Sequence, residues 1–334
     1  MMLLNYSIIF FCISFALTFL AKLVLVHFQI VDKPSSRSMH NHEIVRGGGI
    51  AIVATVMFAF SFLEFRDSGI NYHYITLIIY TAIFATLGFA DDIFSISYKP
   101  RLFIQFGAVI LLLSVPGFHE IQINFGLFII DGGIAKLLLC IFSVWFINLY
   151  NFMDGINGIA AAQAIIFCFS LGFLIAVHEY PYPLSDFIFL GSICLGFLLW
   201  NFPRAQIFLG DVGSNFLGAI FSFYLIYFSL VDSKLFWAAI ILMGLFIVDA
   251  TFTLLSRLLR NQSFHSAHNS HAYQNLSRKF NSHTIATTIY MGINIAFLLP
   301  ISHFMLNSNL APLTFVILSY LPLIAGCIVL KAGK

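Results

Sequence analysis

The residues able to do chemistry in this chain fall into five short polar clusters set between long apolar runs. The densest reads Asn148-Leu-Tyr-Asn151-Phe-Met-Asp154-Gly-Ile-Asn157-Gly158. Its amide and carboxylate oxygens sit on backbone that glycine allows to approach a ligand closely, which makes a binding floor. A plain helix end followed by an asparagine cap would draw on the same residue types. In the second cluster Asp91 and Asp92 precede Lys99 and Arg101. Adjacent carboxylates at the end of an apolar run repel each other, so a metal or a basic partner is expected, with Lys99 and Arg101 as phosphate binders or counter-ions. A capping pair held by Lys99 is the simpler alternative. The third cluster sets a lone Asp211 between Gly210 and Gly213. There it is either a helix N-cap or a ligand of Mg2+, an ion commonly held by one or two protein groups and completed by substrate phosphates.

Two further clusters are basic. Arg37 and Arg46 flank a loop ending in Gly47-Gly48-Gly49. Its N–H groups and guanidiniums suit a phosphate, although basic loops beside a membrane also anchor lipid headgroups. His265, His268 and His271 recur at a spacing of three, followed by Tyr273 and Gln274. No cysteine or nearby carboxylate completes a zinc site, so pyrophosphate or sugar contacts are favoured over zinc. Asp249 stands inside an apolar run. A carboxylate there faces the bundle interior and needs a partner, for which Arg257 is a candidate; a purely structural role is equally open.

The elements that must position these clusters are membrane helices. Hydrophobic residues make up 60% of the 334 and charged residues 9%, with a mean hydropathy of +0.96. A soluble protein carries roughly 25% charged residues. The chain therefore reads as an all-α, polytopic helical bundle forming one domain over residues 1–334, with the lipid bilayer as its medium and no nucleic-acid partner. Apolar runs near 5–27, 47–64, 73–90, 102–115, 134–150, 157–178, 187–200, 214–231, 235–256, 284–303 and 311–330 give about ten or eleven spans. The polar clusters occupy the connections 31–49, 91–101, 148–158, 201–215 and 257–283. The loop 116–133 has the look of a short hairpin. The five cysteines are single residues in apolar runs, without pairing or metal-ligand spacing. The first hydrophobic run lacks a basic leader and is longer than a signal peptide's core, so it is expected to be retained. With the N-terminus placed outside, one set of loops holds twelve Lys and Arg residues and the other only Arg66, Lys136 and Lys234. By the positive-inside rule all five clusters then face the cytoplasm.

Taken together, Asp32-x-Pro34-x-x-Arg37-x-x-His40 with Arg46-Gly-Gly-Gly, Asp91-Asp92, Asn148-x-x-Asn151-x-x-Asp154-Gly-x-Asn157-Gly, Phe208-Leu-Gly-Asp211-x-Gly-Ser214 and His268-x-x-His271-x-Tyr273-Gln274 resemble the polyprenyl-phosphate N-acetylhexosamine-1-phosphate transferases. The resemblance runs from about Asp32 to Gln274. It implies Mg2+-dependent transfer (Mn2+ being the alternative ion) from a UDP-N-acetylhexosamine to undecaprenyl phosphate, releasing UMP, at the cytoplasmic face of a bacterial inner membrane. It also implies roles. Asp211 and Asn151 match metal-binding positions, Asp154 and Asn157 the nucleotide pocket, and Asp91 and Asp92 the acidic pair beside the acceptor phosphate. Asp91, Asp92, Asp154 and His271 are thus the expected catalytic set, and Asn148, Asn157, Arg37, Arg46, Lys99 and His268 the expected substrate contacts. A homodimer is compatible with such a bundle. Ser38 stands where many members have Lys, and His271-Ala-Tyr-Gln replaces His-x-His-His. With Arg46-Gly-Gly-Gly, the second departure points to the branch that initiates lipopolysaccharide and O-antigen, and it leaves the roles of Tyr273 and Gln274 open. The rival class is a multi-span transporter for a nucleotide sugar or lipid-linked sugar. A transporter should carry its polar groups near the bilayer midplane, often on broken helices.

Overall fold

In the computed structural model, residues 2–32, 43–66, 72–118, 120–262 and 268–334 are described. Arg37, His40 and His265 lie outside them. The chain begins with α1 (Met2–His27), whose end leads through β1 (Val31–Asp32) and β2 (Ile44–Val45) into α2 (Gly49–Arg66). The two strands pair antiparallel, Val31 opposite Val45. Then come α3 (Tyr72–Phe94), α4 (Tyr98–Ser114), β3 (Gln122–Asn124) and β4 (Ile129–Asp131). The expected hairpin is present, with Gln122 opposite Asp131.

The centre of the bundle is built by α5 (Gly132–Phe152), α6 (Ile159–Val177), α7 (Leu184–Asn201) and α8 (Gly210–Val231). α6 and α8 are apolar around nearly their whole circumference, and a helix of that kind must be surrounded by others. Phe167 and Phe221, both essentially inaccessible, meet edge to face between them at 4.8 Å. α9 (Ser233–Leu242) and α10 (Gly244–Leu258) are joined at a break of 65°, the form of a broken span or a re-entrant loop. Next are α11 (Ala272–Phe280), which is short and amphipathic, α12 (His283–Ile293), a π-helical turn at Asn294–Leu298, α13 (Leu299–Asn307) and α14 (Pro312–Val329).

The protein is a polytopic helical membrane protein. Among the described residues eight helices are long and apolar enough to cross a bilayer, or nine if the bent pair is one span. All eleven expected runs are helical, but those near 47–64 and 102–115 are α2 and α4, of 18 and 17 residues. Both fall short in length, the apolar stretch of α2 being Gly49–Phe65 and α4 having 17 residues, so neither qualifies as a full span. Outer helices turn Ile8, Leu20, Leu23, Phe58, Ile317 and Leu321 outward, the belt that a hydrocarbon phase would wet.

The two ends of the bundle are chemically different. At one end the hairpin meets α9 through Trp237 Nε1, which donates to the Asn124 carbonyl at 2.6 Å, and Lys234 donates to the Ser308 carbonyl at 2.9 Å. The described parts of the five polar clusters gather at the other. There Val45 bridges to Ile207, Gly48 N–H donates to the Phe208 carbonyl and Gly49 N–H to that of Leu209, both at 2.8 Å. These glycine N–H groups are therefore engaged by backbone and are not available as a phosphate cradle. Their glycine identity serves packing instead, since a Cβ on Gly49 would overlap the Gly213 backbone.

Candidate active site

Asp211, in the first turn of α8, is the hub of the polar end. Its Oδ1 receives Asn151 Nδ2 from the end of α5 at 2.9 Å and lies 3.0 Å from Arg46 Nη2. Asn151 also donates to Ser214 Oγ at 2.8 Å. Both amide hydrogens of Asn151 are thereby used, which leaves its oxygen as the group able to accept. Gly88 of α3 makes the approach of these helices possible, because a Cβ there would strike the Asp211 carbonyl.

The paired aspartates at the end of α3 have different partners. Asp92 receives the α8 N-terminal N–H groups of Asp211 and Val212 at 2.9 and 3.0 Å, and Arg46 Nε at 2.7 Å. A carboxylate is well placed at a helix N-terminus, where unpaired N–H groups and the positive dipole end meet. Asp91 takes Arg101 Nη1 at 2.6 Å and the N–H of Ile96 at 2.7 Å. Thus Arg101, not Lys99, holds Asp91, and Lys99 stands exposed at the start of α4. Arg46 is held charged: burial works against its charge, but Asp211 and Asp92 outweigh that and raise its pKa above the ordinary value.

The turn from α5 to α6 completes the floor. Tyr150 braces it by donating to the Ala160 carbonyl at 2.7 Å, and Gly158 N–H is held by Asn201 Oδ1 at 2.9 Å. Asn157 donates to the Pro203 carbonyl at 3.1 Å, and its Oδ1 lies 3.1 Å from His283 Nδ1. Asn148 lies one turn deeper than Asn151, with its amide nitrogen on Gln105 Oε1 at 2.7 Å. Asp154 is half-buried, and burial, followed by the like charge of Asp211, lifts its carboxyl to about 7 against the pull of Arg46.

Asp249 organises the histidine loop from α10. Its two oxygens accept the first N–H groups of α11, from Ala272 at 2.8 Å and Tyr273 at 2.9 Å, and the Tyr290 hydroxyl at 2.7 Å. His271 Nδ1 lies 3.5 Å away. This is a tertiary helix cap, and it assigns Asp249 partners other than the Arg257 that sequence proximity suggests. Gln274 Oε1 takes the His271 N–H at 3.1 Å, which makes it a capping residue. His268 stacks on His271 at 4.9 Å. Burial first, then His271 and Arg257, lowers His268 to about 4, so its imidazole is neutral at pH 7.

The structure therefore brings Asp91, Asp92, Asn151, Asp154, Asp211 and Arg46 into one electrostatic cluster, with the histidine loop docked beside it. Asn148 and Asn157 flank it through protein contacts. Ser214 and Tyr273 are participants that residue type alone undervalued, whereas Arg101 takes the counter-ion place that its position beside the acidic pair suggested. The pairing of Arg101 had one signal, its position a single turn into a helix that starts beside the acidic pair.

Four aspartates face two arginines here, and two like charges 4 Å apart at an effective dielectric of ~20 repel by about 4 kcal/mol. Added positive charge would relieve that repulsion. Among the described residues no three His, Cys, Asp or Glu side chains form a ready-made metal cage. The groups nearest to a metal set, the Asp211 carboxylate and the Asn151 amide beside it, carry hard oxygens and are few. That set fits Mg2+, which keeps several water or phosphate ligands.

Residues 74–229 match the family model of glycosyl transferase family 4. A Bacillus subtilis (strain 168) protein, named as a probable undecaprenyl-phosphate N-acetylglucosaminyl 1-phosphate transferase, is 29% identical over 324 residues, covering 92% of this chain and 87% of the relative. The undecaprenyl-phosphate alpha-N-acetylglucosaminyl 1-phosphate transferase of Thermotoga maritima is 27% identical over 270 residues, 80% of this chain and 79% of its own. A Yersinia pestis protein of the same name is 29% identical over 216 residues, 62% and 58% of the two chains.

Proposed function

From the match of residues 74–229 to glycosyl transferase family 4, the likeness to the relatives above and the geometry of the polar end, we propose that the chain transfers N-acetylhexosamine-1-phosphate from a UDP-sugar to undecaprenyl phosphate, releasing UMP. N-acetylglucosamine is the first sugar to test, because the relatives' names specify it. The product, a sugar on a polyprenyl pyrophosphate, would initiate a cell-envelope polysaccharide, with lipopolysaccharide or O-antigen as the specific reading. The observation that carries the proposal is the convergence of Asp211, Asn151, Asp91, Asp154 and Arg46 at one end of a bundle whose sides are apolar. An isoprenoid tail would lie along those sides while its phosphate reaches the polar end.

Phosphoryl transfer of this kind is mostly positioning and charge neutralisation. Asp211 and Asn151 would hold Mg2+, which neutralises charge on the transferring phosphate. Arg46 is close enough to Asp211 to meet a donor oxygen by changing rotamer. Asp92, saturated by α8 and Arg46, acts by holding α8 and not by taking a proton. The attacking phosphate monoester has a second pKa of about 6, so near pH 7 it is already mostly dianionic and a general base gains little.

The proposed orientation puts this end in the cytoplasm of a bacterial inner membrane and the N-terminus in the periplasm, on the twelve-to-three bias of Lys and Arg. The transporter reading has one feature in its favour, the 65° break between α9 and α10, but the titratable cluster lies at a bundle end and not at that break. The test is purified protein in nanodiscs with undecaprenyl phosphate, Mg2+ and a panel of UDP-N-acetylhexosamines. Mg2+-dependent UMP release with at least one of them is expected. Absence of UMP with every sugar, together with UDP-sugar uptake into proteoliposomes, would replace the enzyme with the transporter.

A further inference from the structure

Tyr273 is fully buried, yet its hydroxyl reaches out of α11 into the turn that carries Asp154. It donates to the carbonyl of Phe152, the last residue of α5, at 3.0 Å, and it packs against Gly155. Phe152 and Gly155 bracket Met153 and Asp154, so one oxygen touches the turn on both sides of the aspartate, bonded on one and packed on the other. Gly155 is what admits it. A Cβ there would overlap the hydroxyl, while the next neighbours, Gln274 Nε2 and Tyr273 Cζ, would lie at 3.1 and 3.2 Å. The other end of the Tyr273 side chain is fixed as well. Its ring stacks on His271 at 5.6 Å, and its N–H is held by Asp249 at 2.9 Å.

We propose that Tyr273 is a positioning residue whose hydroxyl locks the histidine loop to the Asp154 turn, so that His271 and Asp154 meet one substrate in a fixed relation. The proposal rests on the transferase reading above for its kinetic consequence, but the lock itself is testable without any reaction. Tyr273→Phe removes one oxygen and keeps the stacked ring. Small misplacements of a reacting group cost up to about 100-fold in rate, so kcat should fall by about 10- to 100-fold while KM for undecaprenyl phosphate stays within about 2-fold.

The decisive comparison adds Gly155→Ala. In the wild-type background the new methyl collides with the hydroxyl. In Tyr273→Phe the collision is gone and only contacts near 3.1–3.2 Å remain. Gly155→Ala should therefore lower both kcat and the thermal unfolding midpoint strongly in wild type, and change each much less when Tyr273→Phe is already present. Independent, additive losses in the unfolding midpoint would overturn the lock, and so would a Tyr273→Phe enzyme with wild-type kcat. If wild type releases no UMP from any UDP-sugar, the transferase reading falls, and the unfolding comparison still decides the lock.

Discussion

Asp211 and Asp154 carry the residue-scale predictions. Asp211 is the one carboxylate that Asn151, Arg46 and the acidic pair all face. Asp211→Asn should cut turnover by about 100-fold or more while the protein still inserts and elutes as wild type, since one preorganised electrostatic group is lost. Chelation by EDTA should abolish wild-type activity until Mg2+ or Mn2+ returns; activity that survives EDTA would contradict the proposed ligands. For Asp154 the test is stability against pH. Its carboxyl ionises at about 7 in the fold instead of the ordinary 3.8. Between those values the folded state keeps a proton that the unfolded chain has lost, so the group subtracts stability as pH rises. Asp154→Asn should consequently raise the unfolding midpoint in EDTA more at pH 8 than at pH 4, and an equal change at both would refute the shift. Residue type and spacing made Asn151, Asp154 and Asp211 legible. They could not tell Asp91 from Asp92, because which carboxylate meets the N–H groups of α8 depends on how α3 and α8 cross.

At the scale of elements, two helices start on carboxylates borrowed from elsewhere. Asp92 of α3 caps α8, and Asp249 of α10 caps α11. Both caps join segments distant in sequence, 23 residues apart for Asp249 and Ala272. Local patterning cannot show such a partner, and it pointed to the nearby Arg257 instead. It also took the three glycines after Arg46 as a phosphate cradle, whereas two of their N–H groups pair with the strand-like segment 207–209. The capping role of Asp249 predicts that Asp249→Asn, which presents an amide to two N–H donors, destabilises α11 by about 1–3 kcal/mol. Hydrogen exchange should then accelerate in residues 272–280 before the core helices respond. Unchanged protection there would mean that α11 is held by its side-chain packing alone.

For the whole molecule, the apolar composition fixed the class, and all eleven apolar runs became helices. That one or two helices would be broken was expected, but the places of the π-helical turn and of the bend at Met243 were not legible, since both arise where packing overrides an otherwise uniform apolar run. The structure places the described parts of the five polar clusters at one end, so the orientation can be tested as a unit. In a cysteine-free background, Ser95→Cys and Asn281→Cys are exposed at that end, and Asn309→Cys at the other. An impermeant maleimide should label only the last in spheroplasts. Labelling of Ser95→Cys from outside would invert the topology. The central claim, transfer of a sugar together with its phosphate, is tested most directly with UDP-N-acetylglucosamine labelled at the β-phosphorus with 32P, undecaprenyl phosphate and Mg2+. The account predicts that the label moves into the lipid phase with stoichiometric UMP left in water. Label remaining in water as UDP while sugar enters the lipid would contradict it.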